Sequence, residues 1–238
     1  MEHGHLPQAV TRDEAALPRR HARLSVALAT DPSTVEDAQR LRFKVFAEEL
    51  GASLGGADGL DVDEFDAYCD HLVVRDEDTL RIVGTYRVLP PHQARQLGRL
   101  YSDSEFDLRR LDHLRPTMAE LGRSCVHRDY RSGATLMLLW AGLARYMKAN
   151  RYSHAIGCAS VTLADGGHLA SFVRDAAQQH LAPLDYRVFP RVAFPHERIE
   201  RAQDGELPPL IRGYLRAGAR VCGEPAWDPG FGTADFPM

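Results

Sequence analysis

The segment Glu120-Leu-Gly-Arg-Ser-Cys-Val-His-Arg-Asp-Tyr-Arg-Ser-Gly-Ala-Thr-Leu-Met-Leu-Leu-Trp140 constrains this chain more than any other. It reads as a short apolar strand, halted by a polar, arginine-rich turn that runs directly into an apolar helix over 135–147. A strand that feeds a helix N-terminus through small residues offers backbone N–H groups to a phosphate or pyrophosphate. Arg128 and Arg131 would add side-chain charge at the same point. The expectation is an α/β layer with a cradle for a phosphorylated carrier at the end of this strand.

The rest of the chain fits around that unit. The 238 residues suit one large domain, and 44% hydrophobic with 26% charged residues is ordinary for a protein that buries a core. The formal charge of -4 gives no global pull toward nucleic acid. Lys44 and Lys148 are the only lysines, so the basic charge is carried by arginine. Cys69, Cys125, Cys158 and Cys222 show neither close pairing nor metal-type spacing, which favours reduced, structural thiols. No apolar run approaches the roughly 18 residues of a membrane span. Residues 1–23 lack the apolar centre of a secretory signal and read as a polar arm, so a cytoplasmic location is expected by default.

A first strand is expected over 24–29, and Asp31-Pro32-Ser33-Thr34 starts a helix. That helix carries Val35, Ala38, Leu41, Val45 and Phe46 on one face and ends near Gly51. A Gly/Asp-rich loop follows over 51–66. Residues 71–75 and 80–89 flank a turn and read as a hairpin. A polar stretch, 90–116, leads to the strand 117–126. Further strands are expected over 153–161, near 219–222 and 231–236, with helices over 167–180 and 207–217 and a further piece of unassigned type over 186–193. Strands joined first by hairpins and later by helices indicate a mixed α/β (α+β) sheet in one domain, 24–238.

Several residues stand out chemically. Glu120 and Arg123 would face opposite sides of a regular strand, but Gly122 between them permits a β-bulge that turns both to one face. Such a bulge frees backbone N–H groups beside a carboxylate, as a developing oxyanion requires; the plainer reading is a structural ion pair. The acidic loop offers Asp58, Asp61, Asp63, Glu64 and Asp66, either as a seat for an amine or as a solvated loop. Arg42 near an apolar helical stripe and Arg87 inside an apolar strand both need partners, which that loop could supply. Cys125 and His127 could form a thiol–imidazole pair, but a small buried cysteine is the commoner outcome. No His pair marks a metal site, and neither a Walker loop nor a dinucleotide glycine pattern is present.

In order, Arg42-Phe-Lys-Val-Phe46, Asp63-Glu-Phe-Asp66, Gly84-Thr-Tyr-Arg-Val-Leu-Pro90 and Glu120-Leu-Gly-Arg-Ser-Cys-Val126 resemble the signature of the acyl-homoserine-lactone synthases. The passages 120–146 and 210–229 are more similar to a sister family, the L-ornithine Nα-acyltransferases that begin ornithine-lipid synthesis. The resemblance runs from about residue 24 to the C-terminus. It implies a GNAT-like fold, with a bulged central strand splayed from its neighbour. It also implies an acyltransferase that moves a (3-hydroxy)acyl chain from the phosphopantetheine arm of acyl carrier protein to the α-amine of L-ornithine or another small amino acid. The product would be lyso-ornithine lipid. By position, Glu120 and Arg123 match the central-strand pair, Glu120 as base or amine-orienting group. Arg42, Asp63, Asp66 and Arg87 match the acidic-loop network on the acceptor side, with Phe46 as an apolar wall. Ser124, Cys125, Val126, Arg128, Arg131, Ser132, Gly133 and Ala134 fall where the donor arm would lie.

One departure bears on the donor. The usual pyrophosphate loop of this superfamily, Arg-Gly-x-Gly-x-Gly or Ala, is here Arg131-Ser-Gly-Ala-Thr-Leu136. Ser132 and Leu136 stand in glycine places, which favours the single phosphate of a carrier-protein arm over coenzyme A. No tightly bound cofactor or metal is implied. The alternatives are a homoserine-lactone synthase and a non-catalytic module that binds acyl carrier protein. A lipid precursor as product is compatible with peripheral contact at the inner face of a membrane.

Overall fold

The structure is a computed structural model that describes residues 22–54, 58–131, 133–199 and 205–238. Most of the expected arm, 1–23, therefore lies outside the described residues, as does Ser132. Arg23 enters the fold through an exposed ion pair with Asp78.

Strand β1 (Leu24–Leu28) is followed by helix α1 (Pro32–Phe43), which starts where Asp31 accepts the Thr34 N–H at 2.9 Å. The helix does not stop at Phe43. It widens into a π-helical turn, Lys44–Glu49, so the expected end near Gly51 is reached by a change of helix type. After the acidic loop, β2 (Asp70–Asp76) and β3 (Ile82–Leu89) form the hairpin. Leu80, expected at the start of β3, takes φ 60° instead, and its N–H bonds Asp76 O at 2.7 Å to close the turn.

The polar stretch contains helices α2 (Pro91–Leu97) and α3 (Ser102–Glu105), the short strand β4 (Phe106–Asp107) and a 3-10 segment, Arg109–Thr117. Then come β5 (Met118–Val126) and helix α4 (Gly133–Asn150). The central sheet has the order β1-β2-β3-β5-β6, where β6 is His154–Ile156. All its pairings are antiparallel except β5 with β6. Both faces are covered. Ala38 and Leu41 of α1 and Val45 of the π-helical turn pack on Val73, Ile82 and Cys125, while Leu139 of α4 packs on Leu72, Val74 and Val83 from the other side. Alternation along β2 sends neighbouring valines and leucines to opposite helices, which is why this strand reads as an unbroken apolar run. Gly142 lets α4 come close: a Cβ there would lie 2.7 Å from Val26 Cγ2.

The expected single strand over 153–161 is two strands in two sheets. Strand β6 ends at Ile156, and β7 (Cys158–Thr162) belongs to a separate sheet of order β7-β10-β9, with β9 Ala226–Asp228 and β10 Thr233–Pro237. Small and apolar residues continue on both sides of Gly157, from Ala155-Ile156 to Cys158-Ala159, so only that glycine hints at the division. Helix α5 (His168–Ala177) and helix α6 (Pro209–Arg216) supply Ala170, Val173 and Ile211 to the core of this second sheet. The piece over 186–193 holds a two-residue strand, Phe189–Pro190, here β8, paired with β4. That expected near 219–222 reduces to one bridge, Val221 with Leu181. Strand β9 was not anticipated, because three residues carry too little pattern to read.

Candidate active site

The ladder between β3 and β5 is interrupted where the sequence suggested. Arg87 pairs with Gly122 and Thr85 with Cys125, so Tyr86 alone faces both Arg123 and Ser124. That is a β-bulge. The residue that bends the chain is Arg123, whose φ of 51° lies in the left-handed region, rather than Gly122. On the other side, the β5–β6 ladder stops at Glu120–Ile156. Gly157 then turns its backbone to Met238, donating at 3.1 Å and accepting at 2.9 Å. The two sheets part there, and a cavity of about 390 Å³ opens between residues Leu121–Ser124 of β5 and the strand β7.

Glu120 sits at the apex of this opening, 5% exposed. One carboxylate oxygen accepts the Tyr101 N–H at 2.6 Å; the other accepts the Ser102 N–H at 2.7 Å and the Ser102 hydroxyl at 2.6 Å. Burial raises its pKa above the ordinary glutamate value, with the bonds from Ser102 and Tyr101 and the charge of Arg87 opposing that rise. Three donors leave roughly one of about four acceptor positions on the carboxylate for a ligand. The side chain is therefore fixed in direction, partly basic and next to the cavity.

Behind the cavity lies a charge network that the sequence left undecided. Arg42 is 0% exposed and holds Asp66 with two bonds, 2.7 and 2.8 Å, and Asp61 with one of 2.8 Å. Arg87 bonds Asp63 at 2.6 Å, and Arg123 lies 3.2 Å from both Asp61 and Asp63. Three aspartates thus face three arginines. Burial alone would raise Asp66, yet the Arg42 and Arg87 guanidiniums bring it to about 2. His71, packed beside Asp66, has its pKa lowered by burial. Asp58 and Glu64 take no part: Asp58 is exposed, and Glu64 pairs with Arg99 at the surface. The Arg123 guanidinium also lies over the rings of Phe231 at 4.6 Å and Tyr101 at 5.6 Å. Phe231 in turn meets Phe46 edge-to-face.

Of the residues singled out in the sequence, Phe46, Arg87, Glu120, Arg123 and Ser124 line the cavity. Arg42, Asp63 and Asp66 stand behind it as the network. Cys125 packs against Val73 and Ile82 on the α1 side, and burial pushes its thiol up to about 12, which removes it as a nucleophile at neutral pH. Val126 ends β5, and Gly133 and Ala134 open α4. Arg131 donates to Val126 O at 3.1 Å and, with Arg128, reaches toward Glu49.

The facing wall was not found from sequence. It includes Tyr101, Ser102, Cys158, Ser160, Asp228 and Asp235. Asp235 is 2% exposed, and burial lifts it to about 6 despite bonds from Ser160 and Thr233. Asp228 accepts the Gly230 and Phe231 N–H groups at 2.8 and 3.0 Å. The signal was available: Asp235 is an acid inside an apolar strand, the same anomaly that drew notice to Arg87. Among the described residues, no three metal-type ligands converge.

A family model described as an acetyltransferase (GNAT) domain matches residues 41–141, from the last turn of α1 through the first half of α4. An L-ornithine N(alpha)-acyltransferase of Rhodobacter capsulatus is 39% identical, covering 88% of this chain and 86% of that protein. One of Brucella abortus is 37% identical over 89% and 82%. The chain belongs to the L-ornithine N(alpha)-acyltransferase family. It is an acyltransferase with a GNAT domain. Among solved structures, a CoA-dependent acyl-homoserine lactone synthase, BjaI, aligns at a TM-score of 0.54 with 17% identity, covering 91% of this chain and 82% of that one. That likeness shows the fold, within which the bulged β5 and parted β7 form the opening described above.

Proposed function

We propose that this acyltransferase moves an acyl chain, as its thioester on acyl carrier protein, to the α-amine of L-ornithine, giving a lyso-ornithine lipid. One observation carries the reading: a single cavity presents a buried carboxylate, two arginines and a second pair of acids on its opposite wall. The α-carboxylate of an amino acid suits Arg87 and Arg123. Its α-amine suits Glu120, and the side-chain ammonium suits Asp228 and Asp235. The names of the relatives support ornithine as acceptor.

The reaction is direct. The α-ammonium first loses a proton to Glu120, or to water held by it. The amine nitrogen attacks the thioester carbonyl carbon, and N–H groups released at the Arg123–Ser124 bulge steady the oxyanion. Collapse breaks the C–S bond, and the nitrogen gives up its second proton, which the departing thiolate takes up, leaving an amide and a free thiol. The substitutions at Ser132 and Leu136 in the phosphate loop support a single-phosphate arm over coenzyme A, with that phosphate beside Arg128 and Arg131. Among the described residues, no helix is long and apolar enough to cross a membrane; contact with a membrane's inner face would be peripheral.

The test is thiol release from 3-hydroxyacyl carrier protein on addition of ornithine, followed by product mass. Acylated ornithine supports the reading. Thiol release only with coenzyme A thioesters would overturn the donor, and an acyl-homoserine lactone would overturn the acceptor.

A further inference from the structure

The helix α1 reaches the cavity through its π-helical turn, Lys44–Glu49, and this turn faces two ways. Phe46 on it lines the cavity, as do Leu50 and Ala52 directly after it. Glu49, its last residue, points instead at the turn before α4. There its carboxylate takes a hydrogen bond from Arg131, and Arg128 Nε lies 3.8 Å away. The Glu49 side chain is only 10% exposed, and its second oxygen is buried with no hydrogen-bond partner.

A carboxylate buried with an unsatisfied oxygen is costly, because it has lost water without full replacement. A purely structural ion pair at an exposed pair of arginines has no need of that position. What the two guanidiniums and the first turn of α4 suit is an anion with more acceptor oxygens than a carboxylate offers.

We propose that Glu49 is an internal substitute for the donor's phosphate. In the free protein it occupies Arg128 and Arg131; the phosphate of the incoming phosphopantetheine arm displaces it. Releasing Glu49 frees the π-helical turn, which carries Phe46 and leads to Leu50 and Ala52. Donor binding is thereby coupled to the wall of the acceptor cavity. This inference rests on the proposed donor, and it makes Glu49 a residue that sets donor affinity through phosphate competition.

The experiment compares KM for two donors with the same acyl chain, acyl carrier protein and phosphate-free acyl-pantetheine, in the full chain and in Glu49→Gln. Removing the competing charge should lower KM for the carrier-protein donor three- to tenfold and leave that for acyl-pantetheine unchanged. Because KM does not depend on how much enzyme is active, partial misfolding does not mimic this split. Glu49→Ala should show the same ratio. Calorimetric titration with 4′-phosphopantetheine alone should show tighter binding to Glu49→Gln than to the wild type. Equal KM changes for both donors, or none, would overturn the role of Glu49 while leaving the proposed function standing. Absence of thiol release and of phosphopantetheine binding in every protein would overturn both.

Discussion

Gly157 lies so close to Leu121 that a Cβ at 157 would sit 2.3 Å from the Leu121 carbonyl oxygen. The contact is with backbone, so no side-chain rotation relieves it. It occurs where the two sheets begin to part, one residue beyond the Glu120–Ile156 pair. Gly157→Ala must therefore move one sheet relative to the other. Overpacking of this kind costs about 1–3 kcal/mol, and for a chain of this size each kcal/mol lowers Tm by about 2–4 °C. Calorimetry should show a fall of that order, and acyl transfer should fall more than stability does.

Glu120→Gln tests the base. An amide at this position sets an NH2 group against the N–H of Tyr101 or Ser102, both of which now donate to the carboxylate. Turnover is expected to fall by about 10²–10⁴-fold if proton transfer is lost. Activity within about threefold of wild type would remove Glu120 from the chemistry.

The pH profile should carry the mark of that same carboxylate. Burial raises its pKa, so the base is protonated, and inactive, over a wider acid range than an ordinary glutamate. The acid limb of kcat/KM is expected above the usual value of about 4.3. A limb at or below that value would show that Glu120 is not the group titrating.

Asp235 is shifted in the same direction, and its effect is read in stability. Its carboxyl is raised from 3.8 to about 6 by burial. The folded protein therefore holds this proton more tightly than the unfolded chain does. Stability from this residue is fully present below the unfolded pKa and is lost as pH rises through about 6. In Asp235→Asn that loss is absent, so the melting temperatures of variant and wild type should diverge between pH 4 and 7 in the variant's favour. Parallel curves would count against the assignment.

Arg42→Ala removes the cation that faces Asp61 and Asp66. Two buried carboxylates are then left without their shared guanidinium. Breaking a buried pair from one side costs about 3–5 kcal/mol. Thermal unfolding should report it, and Arg42→Lys should recover only part, because one ammonium cannot reproduce the two-pronged contact with Asp66.

Much of the central sheet was legible because periodicity was strong there. Helix α1 and the β2–β3 hairpin announced themselves through Asp31-Pro32 and through two apolar, valine-bearing runs flanking a polar turn. Arg42 and Arg87 stood out because charge in an apolar element demands a partner, and the acidic loop supplied it. Pattern failed at Gly157, where one apparent strand divides between two sheets although apolar residues continue on both sides of the glycine. It also failed for the second wall of the cavity. Tyr101, Asp228 and Asp235 come from segments more than 100 residues apart, and only the fold brings them to Glu120. The bulge was readable from Gly122, yet the strained residue is its neighbour, since sequence shows which residue tolerates a bend and not which one adopts it.

The left-handed backbone at Arg123 has a consequence for anyone wishing to change the acceptor. Most replacements there would keep the contortion and lose the guanidinium, while glycine would relax the contortion and lose it too. Position 123 is thus doubly committed, and altering it mixes two effects that no assay separates cleanly. Asp228 and Asp235 carry no such burden, because neither adopts a left-handed φ. On the proposed placement of the acceptor, its preference is better re-tailored from Asp228 and Asp235, with 123 left untouched.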